Sequence, residues 1–359
     1  MNTVPAKSPA EPNSIPPGSP VPDRTPVRGS PSGPDARRPP HPLELVATLG
    51  PTSMHLSSEL LAAGASSLRL NGSHMSADDL RAAISYVRSA VDSCPIVLDL
   101  QGSKMRLGQL PPRPVHPNQQ VVFCLKPDCD AQIPIPHREL FDSARSGDTI
   151  SIDDGRLRFL VTQQADQQLV TRCLEAGVVK ARKGVNLIEH PVDFSDLTDA
   201  DAAQLQVGLE FENVAFAVSF MKDGREASWV RRRAAGRVVV GKIERREAVS
   251  NIDAIASATD QVWVCRGDLG SQLGFVQLAQ WVGEFRADRI HTPVLLAGQV
   301  LEHLTEHGQP TRSEVCHLFD ILRRGYCGIV LSDETAIGQD PVRAVRIASQ
   351  LLGSLSAEA

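Results

Sequence analysis

Eight short apolar runs, most of them separated by stretches of helical periodicity, constrain the fold of this chain more than any other feature. They are LELVATLG (43–50), SLRL (67–70), IVLDL (96–100), VAFAVSF (214–220), RVVVGKI (237–243), QVWVCRG (261–267), PVLLAG (293–298) and GIVLS (328–332). The helix-patterned stretches include SADDLRAAISYVRSAV (76–91), DGREASWVRRRAA (223–235) and DPVRAVRIASQLL (340–352), some opened by an Asp or Ser placed as an N-cap. Repeated βα units predict a parallel sheet with helices outside it. Eight strands is the number that closes such a sheet, so the expected fold is α/β, a (β/α)8 barrel of the TIM type.

The regularity breaks once. Between the third and fourth runs, residues 108–181 carry alternating β-type segments such as QVVFCL, DTISI, LRFLV and QQLVTRCL. They predict a small β-rich domain inserted after strand three, dividing the barrel into residues 43–107 and 182–359. Barrel enzymes assemble their active sites at the C-terminal ends of the strands, so this insertion is expected to lie over the site as a lid. Residues 1–42 differ in kind: they hold 13 of the 26 prolines and no aromatic residue, and are expected to be a disordered tail.

Composition removes several functional classes. A net charge of -5 and a pI near 6.1 give no electrostatic support to nucleic-acid binding. The three arginines Arg231, Arg232 and Arg233 read as a solvated helix face. No apolar run approaches the roughly 20 residues of a membrane span, and the proline-rich start has no signal-peptide core. The seven scattered cysteines form no CxxC pair, which suits reduced thiols and a cytoplasmic location.

In a barrel, polar residues at strand ends are the catalytic candidates. Here they are Arg69, Asn71 and Ser73 after strand two, Asp99 in strand three, Lys242 and Glu244 at strand five, Asp268 after strand six and Ser332 at strand eight. A lone Asp or Lys in such a place is more often a helix cap or a surface ion pair. Two cations and two carboxylates facing one mouth are costly to desolvate unless a ligand supplies complementary charge. A divalent metal with an anionic substrate does so, and Glu244 and Asp268 are hard oxygen donors of the kind Mg²⁺ prefers.

The segments ATLGPTS (47–53), LRLNGSH (68–74), VLDLQGSKMRLG (97–108), SIDDGRL (151–157), KGVNL (183–187), GKIERREAV (241–249), CRGDLG (265–270), QPTRSEV (309–315) and LSDETAIGQDP (331–341) occur in the order seen in pyruvate kinases. From about Leu43 to about Ile347 the chain resembles the catalytic part of that family. The similarity does not extend to the family's C-terminal allosteric domain, so no response to a sugar-phosphate activator is expected.

The resemblance implies roles. Lys242 corresponds to the lysine that stabilises charge on the transferring phosphoryl group and the enolate, and Arg69 to the phosphate-clamping arginine. Glu244 and Asp268 correspond to the Mg²⁺ ligands, and backbone N–H groups around Gly267 and Asp268 to substrate donors. Pro51, His74 and Lys183 match nucleotide-site positions. The implied partners are phosphoenolpyruvate or pyruvate and ADP or ATP, with an assembly of like chains left open. Asn71, Ser73, Asp99 and Leu100 match a K⁺ cage, and Lys104 stands where K⁺-dependent members carry a glutamate. An ammonium there would supply the ion's charge, so K⁺-independent activity is expected.

Other positions depart from the family. Gly298 replaces a threonine whose hydroxyl helps bind phosphate and organise proton transfer, and Gln101, Gln272, Asp333, Lys222 and Gly72 replace a lysine, a glutamate, a glycine, an arginine and a phenylalanine. Reduced turnover or altered specificity would follow. The competing readings are a Mg²⁺-dependent lyase or decarboxylase acting through a 2-keto acid enolate, and a weakly active regulatory paralogue. The HxxEH pattern of His303, Glu306 and His307 would place two histidines on one helix face as in zinc proteases, but it is too short to carry that assignment.

Overall fold

The computed structural model of the chain describes residues 41–356 apart from Asp154 and Pro191, less the side chains of 74, 355 and 356. All but the last two residues of the expected 1–42 tail therefore lie outside the described residues.

The eight apolar runs form eight strands: β1 (Glu44–Leu49), β2 (Ser67–Asn71), β3 (Ile96–Leu100), β4 (Val214–Val218), β5 (Val239–Ile243), β6 (Gln261–Cys265), β7 (Val294–Ala297) and β8 (Gly328–Leu331). They close into a barrel in the order β1-β8-β7-β6-β5-β4-β3-β2, and every neighbouring pair is parallel. Successive side chains on a strand point to opposite faces. Leu45, Ala47 and Leu49 of β1, Leu68 and Leu70 of β2 and Ile96, Leu98 and Leu100 of β3 accordingly join the large core shared with the outer helices. Val46, Val97, Ala217, Val240, Trp263, Leu295 and Val330 form a separate cluster inside the barrel. The same parity sends Arg69, Asp99 and Lys242 inward at the strand ends.

The outer helices begin where local chemistry starts them. The helix Ala77–Ala90 opens on a capping box between Ser76 and Asp79, and Arg312–Arg323 opens on one between Thr311 and Glu314. The helical pattern read over 223–235 is shorter in the structure, Arg225–Arg231, entered through Gly224 at a φ of 93°. Its last residue, Arg231, pairs with Asp260, while Arg232 and Arg233 just beyond it converge on Asp196.

Between β3 and β4 the chain builds a seven-stranded sheet ordered Met105–Arg106, Gly184–Leu187, Thr149–Ile152, Leu157–Ala165, Gln168–Cys173, Gln120–Cys124 and Gln132–Pro134. A two-stranded ribbon of Arg113–Val115 and Gly177–Val179 accompanies it. The outgoing strand Met105–Arg106 pairs antiparallel with the returning Gly184–Leu187, so the chain leaves and re-enters the barrel through a double-stranded hinge. The sheet has its own core around Phe123 and Phe159, whose rings meet edge to face at 5.1 Å. Trp229, on a barrel helix, is part of that core.

Candidate active site

At the C-terminal mouth of the barrel lies a cleft of about 160 Å³. It is lined by Arg69, Asn71 and Ser73 from the end of β2, Asp99 and Leu100 from β3, Lys242 and Glu244 from β5, Gly267 and Asp268 after β6, Gly298 after β7, Ser332 after β8, and Lys104 from the hinge. Residues scattered over most of the barrel sequence meet here because parallel strands present all their C-terminal ends at one face.

Asp99 is the hub. Its carboxylate accepts hydrogen bonds from Lys242 Nζ at 3.0 and 2.9 Å, from Arg69 Nε at 2.9 Å and Nη2 at 2.6 Å, and from Ser219 Oγ at 3.0 Å. Lys242 also contacts Glu244 Oε1 at 2.9 Å and donates to Ser219 Oγ at 2.9 Å. Burial alone would discharge Lys242 and Arg69, yet the Asp99 carboxylate outweighs it and holds both bases above their ordinary range, with Glu244 adding to the effect. Burial likewise pushes Asp99 up, but Lys242 and Arg69 pull it below the usual carboxylate range. The mouth therefore balances its own buried charges before any ligand arrives.

The second carboxylate pair is held differently. Glu244 Oε2 accepts the backbone N–H of Phe220 at 2.8 Å, a residue at a φ of 56°. Asp268 lies in the first turn of the helix Arg266–Leu273 and pairs with Lys104. Gly267, in the same first turn, also lines the cleft. Gly298 adopts a φ of 82°, and its carbonyl accepts a hydrogen bond from Arg266 Nε at 3.0 Å. Ser332 caps the short helix Asp333–Ala336, and its N–H donates to Glu334 Oε2 at 2.7 Å.

Not every residue singled out in the sequence reaches the cleft. Pro51 is exposed in the turn after β1, and Lys183 Nζ pairs with Asp153 Oδ1 at 2.8 Å in the inserted sheet. The backbone of His74 ends the turn Gly72–His74, but its side chain is outside those described. Of the four K⁺-cage positions, Asn71 turns its Oδ1 to Ser73, and Asp99 is engaged by Lys242, Arg69 and Ser219. The Lys104 ammonium goes to Asp268. The HxxEH segment is not on an α-helix: Glu302–Thr305 is a 3-10 turn, the His303 and His307 rings stack at 3.8 Å, and His303 Nδ1 faces the Gln309 carbonyl at 2.7 Å.

Three positions that support the mouth escaped the sequence reading. Ser219, one residue past β4, was within reach of the strand-end rule that found Lys242. Thr48, whose hydroxyl accepts from Arg69 Nη1 at 3.0 Å and donates to the Leu331 carbonyl at 2.7 Å, hid inside the first apolar run. Asp201 is 100 positions from the loop it stabilises, accepting the N–H groups of Gln101 at 2.8 Å and Gly102 at 3.1 Å. That loop is pressed so closely on β4 that a Cβ at Gly102, with its φ of 59°, would lie 2.0 Å from the Ser219 carbonyl.

Burial pushes the Asp201 carboxyl up to about 6 from its ordinary 3.8, despite hydrogen bonds from Thr198, Gln101 and Gly102 that favour the anion. Folded Asp201 thus keeps its proton where the unfolded chain has lost it. Its contribution to stability is full below about pH 4 and is lost as pH rises toward 6. The Asp201→Asn variant should show a flatter dependence of its urea midpoint on pH between about 4 and 7 than the parent protein. Parallel curves for the two proteins would refute this origin.

Among the described residues no group of three or more His, Cys, Asp or Glu side chains is placed to hold a metal unaided. Glu244 and Asp268 instead offer two carboxylates in one cleft. This donor set fits Mg²⁺, which binds through one or two carboxylates and completes its octahedron with water and substrate oxygens.

Fold and site together define a (β/α)8 protein of the enzyme type, with buried cations and carboxylates at its mouth and a β-sheet inserted after β3. Residues 41–345 match the family model described as pyruvate kinase, barrel domain. A pyruvate kinase of Agrobacterium vitis is 34% identical over 323 residues, covering 86% of this chain and 68% of the relative. One of Methylorubrum extorquens is 33% identical over 325 residues with the same two coverages, and one of Mycobacterium tuberculosis is 31% identical, covering 86% and 69%. The chain belongs to the pyruvate kinase family.

Proposed function

We propose that this protein is a pyruvate kinase-like phosphotransferase that moves the phosphoryl group of phosphoenolpyruvate to ADP, giving pyruvate and ATP in the cytoplasm. The observation that carries the reading is the buried Lys242–Asp99–Arg69 cluster at the barrel mouth beside Glu244 and Asp268. In this reaction the bond between phosphorus and the enol oxygen breaks, and a bond to a terminal oxygen of ADP forms. The enolate left behind takes a proton at carbon and becomes pyruvate.

The chain's own residues suit each part. Arg69 presents a planar fork to phosphate oxygens, and Lys242 places a fixed positive charge where negative charge develops. Asp99 and Ser219 hold Lys242 in place, so it need not reorganise during the reaction. A divalent ion held by Glu244 and Asp268, Mg²⁺ on this reading, would neutralise charge on the phosphoryl and enolate oxygens. Ser332 adds a hydroxyl to the mouth, and the absence of a side chain at Gly298 leaves room for water to deliver the proton. Pro51, His74 and Lys183 remain the positions assigned to the nucleotide.

Activity is expected without K⁺, since both Asp99 oxygens already accept from protein cations. A coupled assay with phosphoenolpyruvate, ADP and Mg²⁺ should yield pyruvate at a rate that added K⁺ leaves unchanged. A large K⁺ activation would refute the K⁺ assignment alone. No transfer, together with solvent-proton exchange into the pyruvate methyl group and no ADP binding, would favour the lyase reading instead.

A further inference from the structure

Lys104 is the hinge residue in the cleft whose charge is committed to a candidate metal ligand. It lies just before the outgoing strand Met105–Arg106, and its carbonyl accepts a hydrogen bond from Gln101 Nε2 at 2.8 Å. Its stem runs beside the returning strand, with Cε 3.5 Å from where a Gly184 Cβ would be. Its ammonium pairs with Asp268 and sits 5.0 Å from the centre of the Phe220 ring. Phe220 in turn gives its N–H to Glu244. One side chain from the start of the hinge thus runs beside its returning strand and meets one carboxylate of the candidate metal pair and the residue that orients the other.

We propose that Lys104 is a resident cation that occupies the Asp268 position of the divalent site until the metal arrives, and that its displacement unlatches the inserted lid. This inference rests on the reading of Glu244 and Asp268 as the metal pair. An oxygen in contact with an ammonium cannot offer the same lone pairs to a second cation, and two positive charges in one cleft repel. The metal and Lys104 therefore compete for Asp268, and loading the site drives Lys104 away from it. The lysine stem is flexible and its head is a compact, strongly hydrated charge, so it can swing away without unfolding anything. Lys242 also contacts a candidate ligand, Glu244, but Asp99 and Ser219 hold it in place, and it stands on a barrel strand outside the hinge. Displacing Lys104 breaks an ion pair that ties the hinge to the barrel mouth. The lid is then free to close only over a loaded site.

The test uses Mn²⁺ as the probe and needs no turnover. Free Mn²⁺ is titrated by electron paramagnetic resonance against the parent protein, Lys104→Gln, Lys104→Met and Asp268→Asn. Hydrogen exchange at the hinge is followed in parallel, including the Leu107 N–H that donates to the Lys183 carbonyl at 2.9 Å. The expected result has two parts. Either Lys104 variant binds Mn²⁺ about tenfold more tightly, the scale set by removing a like charge a few ångström away. Mn²⁺ also speeds hinge exchange in the parent, whereas exchange in the Lys104 variants is already fast and indifferent to the metal. Hinge exchange in the parent that ignores Mn²⁺ overturns the inference even if the variants bind more tightly, because Lys104 would then be only a neighbouring charge. No Mn²⁺ binding to any of the proteins overturns the metal reading itself, and this inference with it.

Discussion

Lys242→Met should reduce turnover by about a hundred- to a thousandfold, the scale on which a preorganised charge at a reacting oxygen acts. It should also cost about 3–5 kcal/mol of stability, because the Asp99 and Glu244 carboxylates lose a buried partner. The two effects are separable. Turnover is read in the coupled assay at a temperature where the variant remains folded, and stability in urea unfolding. The loss of stability should shrink as pH falls, since Asp99, left with Arg69 as its one cation, can shed its buried charge by taking up a proton. A Lys242→Met enzyme that turns over near the parent rate would refute the catalytic assignment.

Restoring the family's threonine should not repair this site. Gly298→Thr should lose about 1–3 kcal/mol, the usual cost of a side chain held in a sparsely populated backbone region, and should gain no turnover. At a φ of 82° a β-branched residue is strained wherever its side chain points, and its Cβ would lie 3.2 Å from the Gly267 nitrogen. Arg266 holds the Gly298 carbonyl and also bonds the Gln299 carbonyl at 2.5 Å, so the loop is tied against relaxing. Gly298→Ala separates the causes, since it carries the backbone strain without β-branching. Denaturant midpoints and kcat for the pair decide the matter: a threonine variant as stable as the parent and faster would show that the loop adapts.

The barrel was legible because strands buried on both faces read as continuous apolar runs, and all eight runs became strands. Lys242, Arg69, Asp99 and Glu244 were legible because strand ends in such a fold converge. What remained hidden depends on contacts between distant positions. Lys104 and Asp268 are 164 positions apart, and neither carries a local signal that it will meet the other. The resemblance placed a lysine at 104 near a K⁺ cage, but side-chain reach across the hinge takes it to Asp268. Lys183 was assigned to the nucleotide, and the structure adds that Asp153, in the turn after a neighbouring strand, holds it. The late start of the helix read over 223–235 has a local cause, the left-handed Gly224 at its entrance, which periodicity alone does not register.

The inward and outward alternation along the strands also limits how such a protein can diverge. Lys242 faces the barrel interior because its neighbours in β5 face the helices, Val239 and Ile243 among them. Inserting or deleting one residue within β5 would exchange those addresses, burying an ammonium among aliphatic side chains and turning isoleucine into the mouth. Lineages of this chain can therefore vary the barrel mouth by replacing side chains, but changes of length are confined to the turns outside the strands. The inserted sheet has β-turns and hairpin ends where such changes of length cost far less.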